Sequence, residues 1–78
     1  MSVTVLYFAS LRDAAGVASE SVPLPRSLSA LYEALRARHQ FTLPREQLRV
    51  AVDGEFSNWD AAVRNGAEIA FIPPVSGG

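Results

Sequence analysis

Two short runs at opposite ends of the chain constrain its fold more than any other feature. Val3-Thr4-Val5-Leu6-Tyr7-Phe8-Ala9 and Glu68-Ile69-Ala70-Phe71-Ile72 are rich in β-branched and aromatic residues and carry apolar side chains on both parities. A strand with one wet face alternates apolar and polar residues, whereas one that is apolar on both parities belongs inside a sheet. Both runs are therefore predicted to be central strands, which brings the two ends of the sequence together in the middle of one sheet.

The residues between them supply only one long helix. Ser27 is a good N-cap for a helix running to about His39, with Leu28, Leu31, Tyr32 and Leu35 on one apolar stripe. Earlier in the chain, Ser10 is expected to cap a helical turn, Leu11 to Ala15, that Gly16 ends. Glu20 to Leu24, with prolines at 23 and 25, reads as a second strand forming a hairpin of expanded loop with the first. Phe41 to Gln47 is a connection, Leu48 to Val52 a third strand, Asp53-Gly54 a tight turn, and Glu55 to Ser57 a short strand; Asn65-Gly66 marks the next turn. This order suits an α+β fold of the β-grasp type, a mixed sheet packed on one main helix. One helix covers one face of such a sheet, so part of the other face should stay exposed as a partner surface. Phe8, Ile72, Phe56 and Trp59 are the candidates, and each taken singly fits core packing equally well.

At 78 residues the chain is expected to make one domain, near the lower limit for a self-sufficient core. The apolar fraction of 49% against 19% charged marks a folded globule and not a disordered tail. A net charge of −1 offers no footprint for nucleic acid or an anionic membrane. Cysteine is absent, which removes disulfides, thiolate nucleophiles and thiolate metal sites, so any sulfur chemistry must use an acquired sulfur. Met1-Ser2 leads straight into a strand with no basic or long apolar leader, and a cytoplasmic location is expected. Lysine is absent too, so no lysine here can receive an isopeptide bond.

The chemistry is expected at the end of the sequence. Phe71-Ile72-Pro73-Pro74-Val75-Ser76-Gly77-Gly78 breaks a strand at two prolines, which fix φ and lack N–H donors, and finishes in two glycines. Residues 1–72 are read as the body, and residues 73–78 as an extended tail. Gly77 and Gly78 fit a slot too narrow for any side chain, and a terminal glycine leaves its carboxylate sterically open. Such an arm suits insertion into another protein's active site, where the carboxylate becomes an acyl-adenylate and then another acyl species. A frayed end that happens to finish in glycines is the competing reading.

Elsewhere the signals are weak. His39, the only histidine, is read as a dipole-stabilising cap where the helix ends and not as a catalytic group. Asp13, Glu20, Glu33, Glu46 and Glu68 are read as solvated surface, and no metal site, P-loop or dinucleotide fingerprint is present.

Tyr7 to Gly16 (Tyr-Phe-Ala-Ser-Leu-Arg-Asp-Ala-Ala-Gly) together with the closing octapeptide resembles the small, sulfur-carrier subunit of molybdopterin synthase, a ubiquitin-like β-grasp family. The resemblance implies that a ubiquitin-activating-type adenylyltransferase uses ATP to adenylate the Gly78 carboxylate, which becomes a thiocarboxylate. The carrier then inserts Pro73, Pro74, Val75, Ser76 and Gly77 into the large synthase subunit and gives sulfur to cyclic pyranopterin monophosphate. It also implies a heterotetramer of two carriers on a dimer of large subunits, with the catalytic acids and bases on the partners and no cofactor bound by this chain. Phe8, Arg12, Phe56 and Ile72 match positions near the family's partner surface. Asp53-Gly54 stands where an Asn-containing turn is common, and Asn65 to Glu68 replaces a more acidic turn. The competing functions are a carrier for thiazole or tRNA thiolation, a ubiquitin-type protein modifier, and an adaptor whose tail is inert.

Overall fold

The computed structural model describes residues 1–74. Along the chain run β1 (Ser2–Tyr7), α1 (Ala9–Ala15), β2 (Ser19–Pro23), α2 (Leu28–His39), a 3-10 turn at Arg45–Gln47, β3 (Arg49–Val52), β4 (Glu55–Ser57) and β5 (Glu68–Ile72). The strands form one sheet in the order β2-β1-β5-β3-β4. The first and last strands pair in parallel at its centre, while β2, β3 and β4 pair antiparallel with their neighbours. The fold is the β-grasp arrangement, with both apolar runs central as their composition dictates.

Register aligns the inward residues. Val5 lies opposite Ile69, Tyr7 opposite Phe71, and Val50 opposite Phe71 from the other side. All five are buried and meet the α2 stripe of Leu28, Leu31, Tyr32 and Leu35 in one core. A fully buried side chain of this size contributes roughly 1.5–3 kcal/mol, so these contacts set the orientation of α2 on the sheet.

Turn chemistry fixes the connections. Ser27 Oγ accepts the Ala30 N–H at 3.1 Å and starts α2. Asp53 (φ 52°) and Gly54 (φ 88°) are both left-handed, the requirement of a tight two-residue hairpin. Asp53 Oδ1 also accepts the Glu68 N–H at 2.9 Å, latching this hairpin to β5. Asn65 Oδ1 accepts the Ser2 N–H at 2.8 Å and so ties the turn before β5 to the start of β1.

Three expectations are corrected. β1 ends at Tyr7, not Ala9: the chain reverses at Ala9 (φ 51°), Phe8 takes the N-cap position of α1, and Ser10 lies inside the helix. α2 ends where expected, at His39 in its basic last turn, and the left-handed Gln40 closes it with its N–H on the Arg36 carbonyl. The His39 ring turns toward β2, where Nε2 lies 2.7 Å from Glu20 Oε2. Glu20 is consequently no surface carboxylate: its side chain is only 16% exposed.

Trp59 resolves toward the core. Its ring stacks on Phe71 at 5.8 Å and tilts against Tyr32 at 5.9 Å, while its outer edge shares a surface hollow with Phe56.

Candidate functional site

Alternation along the central strands decides which side chains α2 leaves uncovered. Val3, Val5 and Tyr7 of β1 point into the core, so Leu6 and Phe8 point the other way. In β5 the core takes Ile69 and Phe71, leaving Ala70 and Ile72 on the far side. Register then lines these residues up across the sheet, with Leu6 opposite Ala70, Ala70 opposite Ala51, and Ala51 opposite Phe56.

The result is a shallow concavity of about 260 Å³ lined by Leu6, Phe8, Ala51, Phe56, Ala70 and Ile72, with Gly54 and Glu68 at its margin. Its depth comes from the alanines, which keep the middle of the face low between taller side chains. Phe8 is 45% and Phe56 66% exposed, an unusual setting for large aromatic groups. Arg49, in register with Ile72, lays its guanidinium over the Phe56 ring at 5.3 Å and borders the patch with positive charge.

The structure thus gathers Phe8, Phe56 and Ile72 on one face. Arg12 is exposed on α1, four residues beyond Phe8, and does not line the concavity. Leu6, Ala51 and Ala70 escaped the sequence reading because none is conspicuous alone; strand parity with Phe8 and Ile72 was the available signal. Pro73 is buried and Pro74 exposed, so contact with the body extends one residue beyond β5. Val75, Ser76, Gly77 and Gly78 lie outside the described residues.

The opposite face carries the only dense polar cluster among the described residues. Tyr7 donates its hydroxyl hydrogen to Glu20 Oε2, His39 approaches the same oxygen, and Arg38 lies 3.5 Å from Oε1. Burial, reinforced by the hydrogen bond to Glu20, pushes the Tyr7 phenol well above its usual range. For Glu20 burial alone would raise the pKa, but hydrogen bonds from Tyr7 and His39 and the nearby positive charge outweigh it and hold the carboxyl below its ordinary value. The cluster pins β2 to the last turn of α2, and of its members Arg38 alone reaches a surface groove. No group of three or more His, Cys, Asp or Glu side chains suited to a metal ion occurs among the described residues, and no helix there is long and apolar enough to cross a membrane.

The sequence model of the ThiS family matches residues 5–78. The chain belongs to the ThiS family. Among its relatives, the molybdopterin synthase sulfur carrier subunit of Homo sapiens is 37% identical over 82 residues, covering 97% of this chain and 93% of that protein. The crystal structure of SAMP1 from Haloferax volcanii superposes with a TM-score of 0.82 at 27% identity, covering all of both chains. A protein–protein complex of subunits 1 and 2 of molybdopterin-converting factor from Helicobacter pylori contains a chain of the same fold, with a TM-score of 0.72, 20% identity and full coverage of both chains. The family match spans the sequence of the body and the tail alike.

Proposed function

We propose that this chain is the sulfur carrier subunit of a molybdopterin synthase. The observation that carries the reading is the 37% identity, over nearly the whole of both chains, to a protein with that role. The open apolar face beside the strand that leads into Pro73-Pro74 supports it, because a carrier must dock by its body while its tail reaches a distant centre.

In this reading the Gly78 carboxylate attacks the α-phosphorus of ATP on a ubiquitin-activating-type adenylyltransferase, and pyrophosphate leaves. The mixed anhydride is a far better electrophile than a carboxylate, so a sulfur donor displaces AMP and leaves a thiocarboxylate. That sulfur, more nucleophilic than the oxygen it replaces, is delivered to cyclic pyranopterin monophosphate on the large synthase subunit. Two carriers seat on a dimer of large subunits, and the Helicobacter pylori complex supports such a partner. Phe8, Phe56 and Ile72 form the docking face, with Arg12 at its border; Pro73 to Gly77 thread the tail. The acids and bases belong to the partners, ATP to the activating enzyme, and the setting is the cytoplasm. Incubating the chain with the adenylyltransferase, ATP and a sulfur donor should raise its intact mass by the exchange of one oxygen for sulfur, located at Gly78 by fragmentation. An unchanged mass with an active enzyme would contradict the reading.

A second reading has a specific observation behind it. SAMP1 is named as a small archaeal modifier protein, and this chain matches its fold closely. In that case Gly78 forms an amide with a lysine of a target protein. Conjugates that persist in denaturing electrophoresis, and vanish when Gly78 is deleted, would favour it over sulfur carriage. Carriers for thiazole or tRNA thiolation use the same tail chemistry, and co-purification with a molybdopterin synthase large subunit separates them.

A further inference from the structure

A second groove lies on the far side of the molecule, between β2 and α2, and no part of the carrier chemistry uses it. Its volume is about 340 Å³, and Val22, Leu24, Leu31 and Leu35 form its apolar lining. Ala30 and Ala34, one helical turn apart on the exposed side of α2, keep its helical wall low.

Two features identify what fits there. The first is the free edge of the sheet. β2 is outermost and pairs only with β1. The Tyr7 N–H bonds to the Ala18 carbonyl and the Leu24 N–H to the Met1 carbonyl, so residues 18, 20, 22 and 24 face β1. Residues 19, 21 and 23 therefore turn their backbone groups outward. Among the described residues nothing pairs with the Ser19 and Ser21 N–H donors, while Pro23 has none to offer. An extended peptide laid along this edge gains main-chain hydrogen bonds while its alternate side chains enter the groove.

The second feature is charge. Among the described residues, the only charged side chains lining the groove are Arg26 and Arg38. Arg26 immediately precedes the Ser27 cap, and Arg38 lies in the last turn of α2, so they bracket the groove from its two ends. Arg38 touches Glu20 yet keeps 64% of its side chain exposed, leaving donors for a second carboxylate. The helix between the two arginines is about 16 Å long at 1.5 Å per residue. A strand covers that span in about five residues at 3.3 Å each.

We propose that the β2–α2 groove is a docking site for an extended segment of a partner protein, short and apolar, with an acidic residue at each end. The segment adds to the β2 edge, its apolar side chains fill the groove over Ala30 and Ala34, and its carboxylates meet Arg26 and Arg38. The site shares no residue with the open face, so partners can occupy both sides of the sheet at once.

Titration of the isotope-labelled chain with the acetylated, amidated peptide Glu-Thr-Val-Thr-Val-Thr-Glu, whose glutamates and valines share one face of a strand, followed by amide NMR, tests this. Shifts should concentrate at Ser19, Ser21, Val22, Leu24, Ala34 and Arg38 and saturate below about 1 mM, the weak regime of short docking peptides. The same peptide with both glutamates replaced by lysine should bind at least about 10-fold more weakly. Ala34→Glu fills the groove with an acidic side chain at an exposed position that tolerates a good helix former, so it should abolish the shifts while the rest of the spectrum is retained. Shifts confined to the open face, equal affinity of the lysine peptide, or undiminished binding to Ala34→Glu would overturn the proposal. So would the same groove shifts from octanoate or from concentrating the chain alone, with none from the peptide.

Discussion

The two faces of the sheet share strands, register and composition class, yet they are built for opposite ends. Under α2, Tyr7, Val5, Ile69, Phe71 and Val50 are buried and their polar neighbours are paired off. One residue along each strand, Leu6, Phe8, Ala51, Phe56 and Ile72 form an apolar surface that none of the described residues covers. The covered face holds the fold together; the open face is apolar surface held ready for a partner. With α2 the one long helix among the described residues, this asymmetry is unavoidable, since it shields one side of a sheet whose central strands are apolar on both.

Truncation at the covered face should cost most. Phe71→Ala removes a fully buried ring that stacks on Trp59 and meets Tyr32, and should lower unfolding free energy by about 3–5 kcal/mol in urea denaturation. A domain this small has little more than that to lose.

Next comes the polar cluster that holds β2 against α2. Glu20→Gln keeps the shape but removes the charge that Tyr7, His39 and Arg38 address, and should cost about 1–3 kcal/mol at neutral pH. The pH dependence has a definite sign. The folded-state pKa of Glu20 lies below its unfolded value of 4.5, so its contribution is fully present above that pH and disappears as pH falls through the lowered folded value. Thermal melts should show wild type and Glu20→Gln furthest apart near neutrality and converging in acid.

Loss of the α2 cap is smaller: Ser27→Ala should cost about 1 kcal/mol, read from the same urea curves. Smallest of all, Phe56→Ala on the open face should leave the denaturation midpoint nearly unmoved, within about 0.5 kcal/mol, despite removing an aromatic ring. A cost comparable to that of Phe71→Ala would erase the distinction between the faces.

Features set by local chemistry were legible before the fold was known. α2 and its stripe, the Asp53-Gly54 hairpin and the bounds of β5 depend on neighbours a few residues apart, and the structure matches each. The exposed face was legible as a count of helices against strands. What escaped was created by juxtaposition. Glu20 looked like surface because its partners are 13 and 19 residues away. Ser10 has the chemistry of a cap, but the path at Ala9 starts the helix before it. Trp59 and Phe56 looked equivalent in sequence, yet β4 ends between them and the chain carries Trp59 round to the core. Of the site itself, Phe8, Phe56 and Ile72 converge, whereas the alanines that hollow the concavity carry no signal of their own.

The most direct test of the division between faces is calorimetric titration of the chain and its Phe56→Asp variant with a molybdopterin synthase large subunit, alongside their unfolding curves. The account predicts that the variant unfolds at the same midpoint and binds at least about 30-fold more weakly, the loss of a central apolar anchor. Equal affinity in a folded Phe56→Asp variant would contradict it.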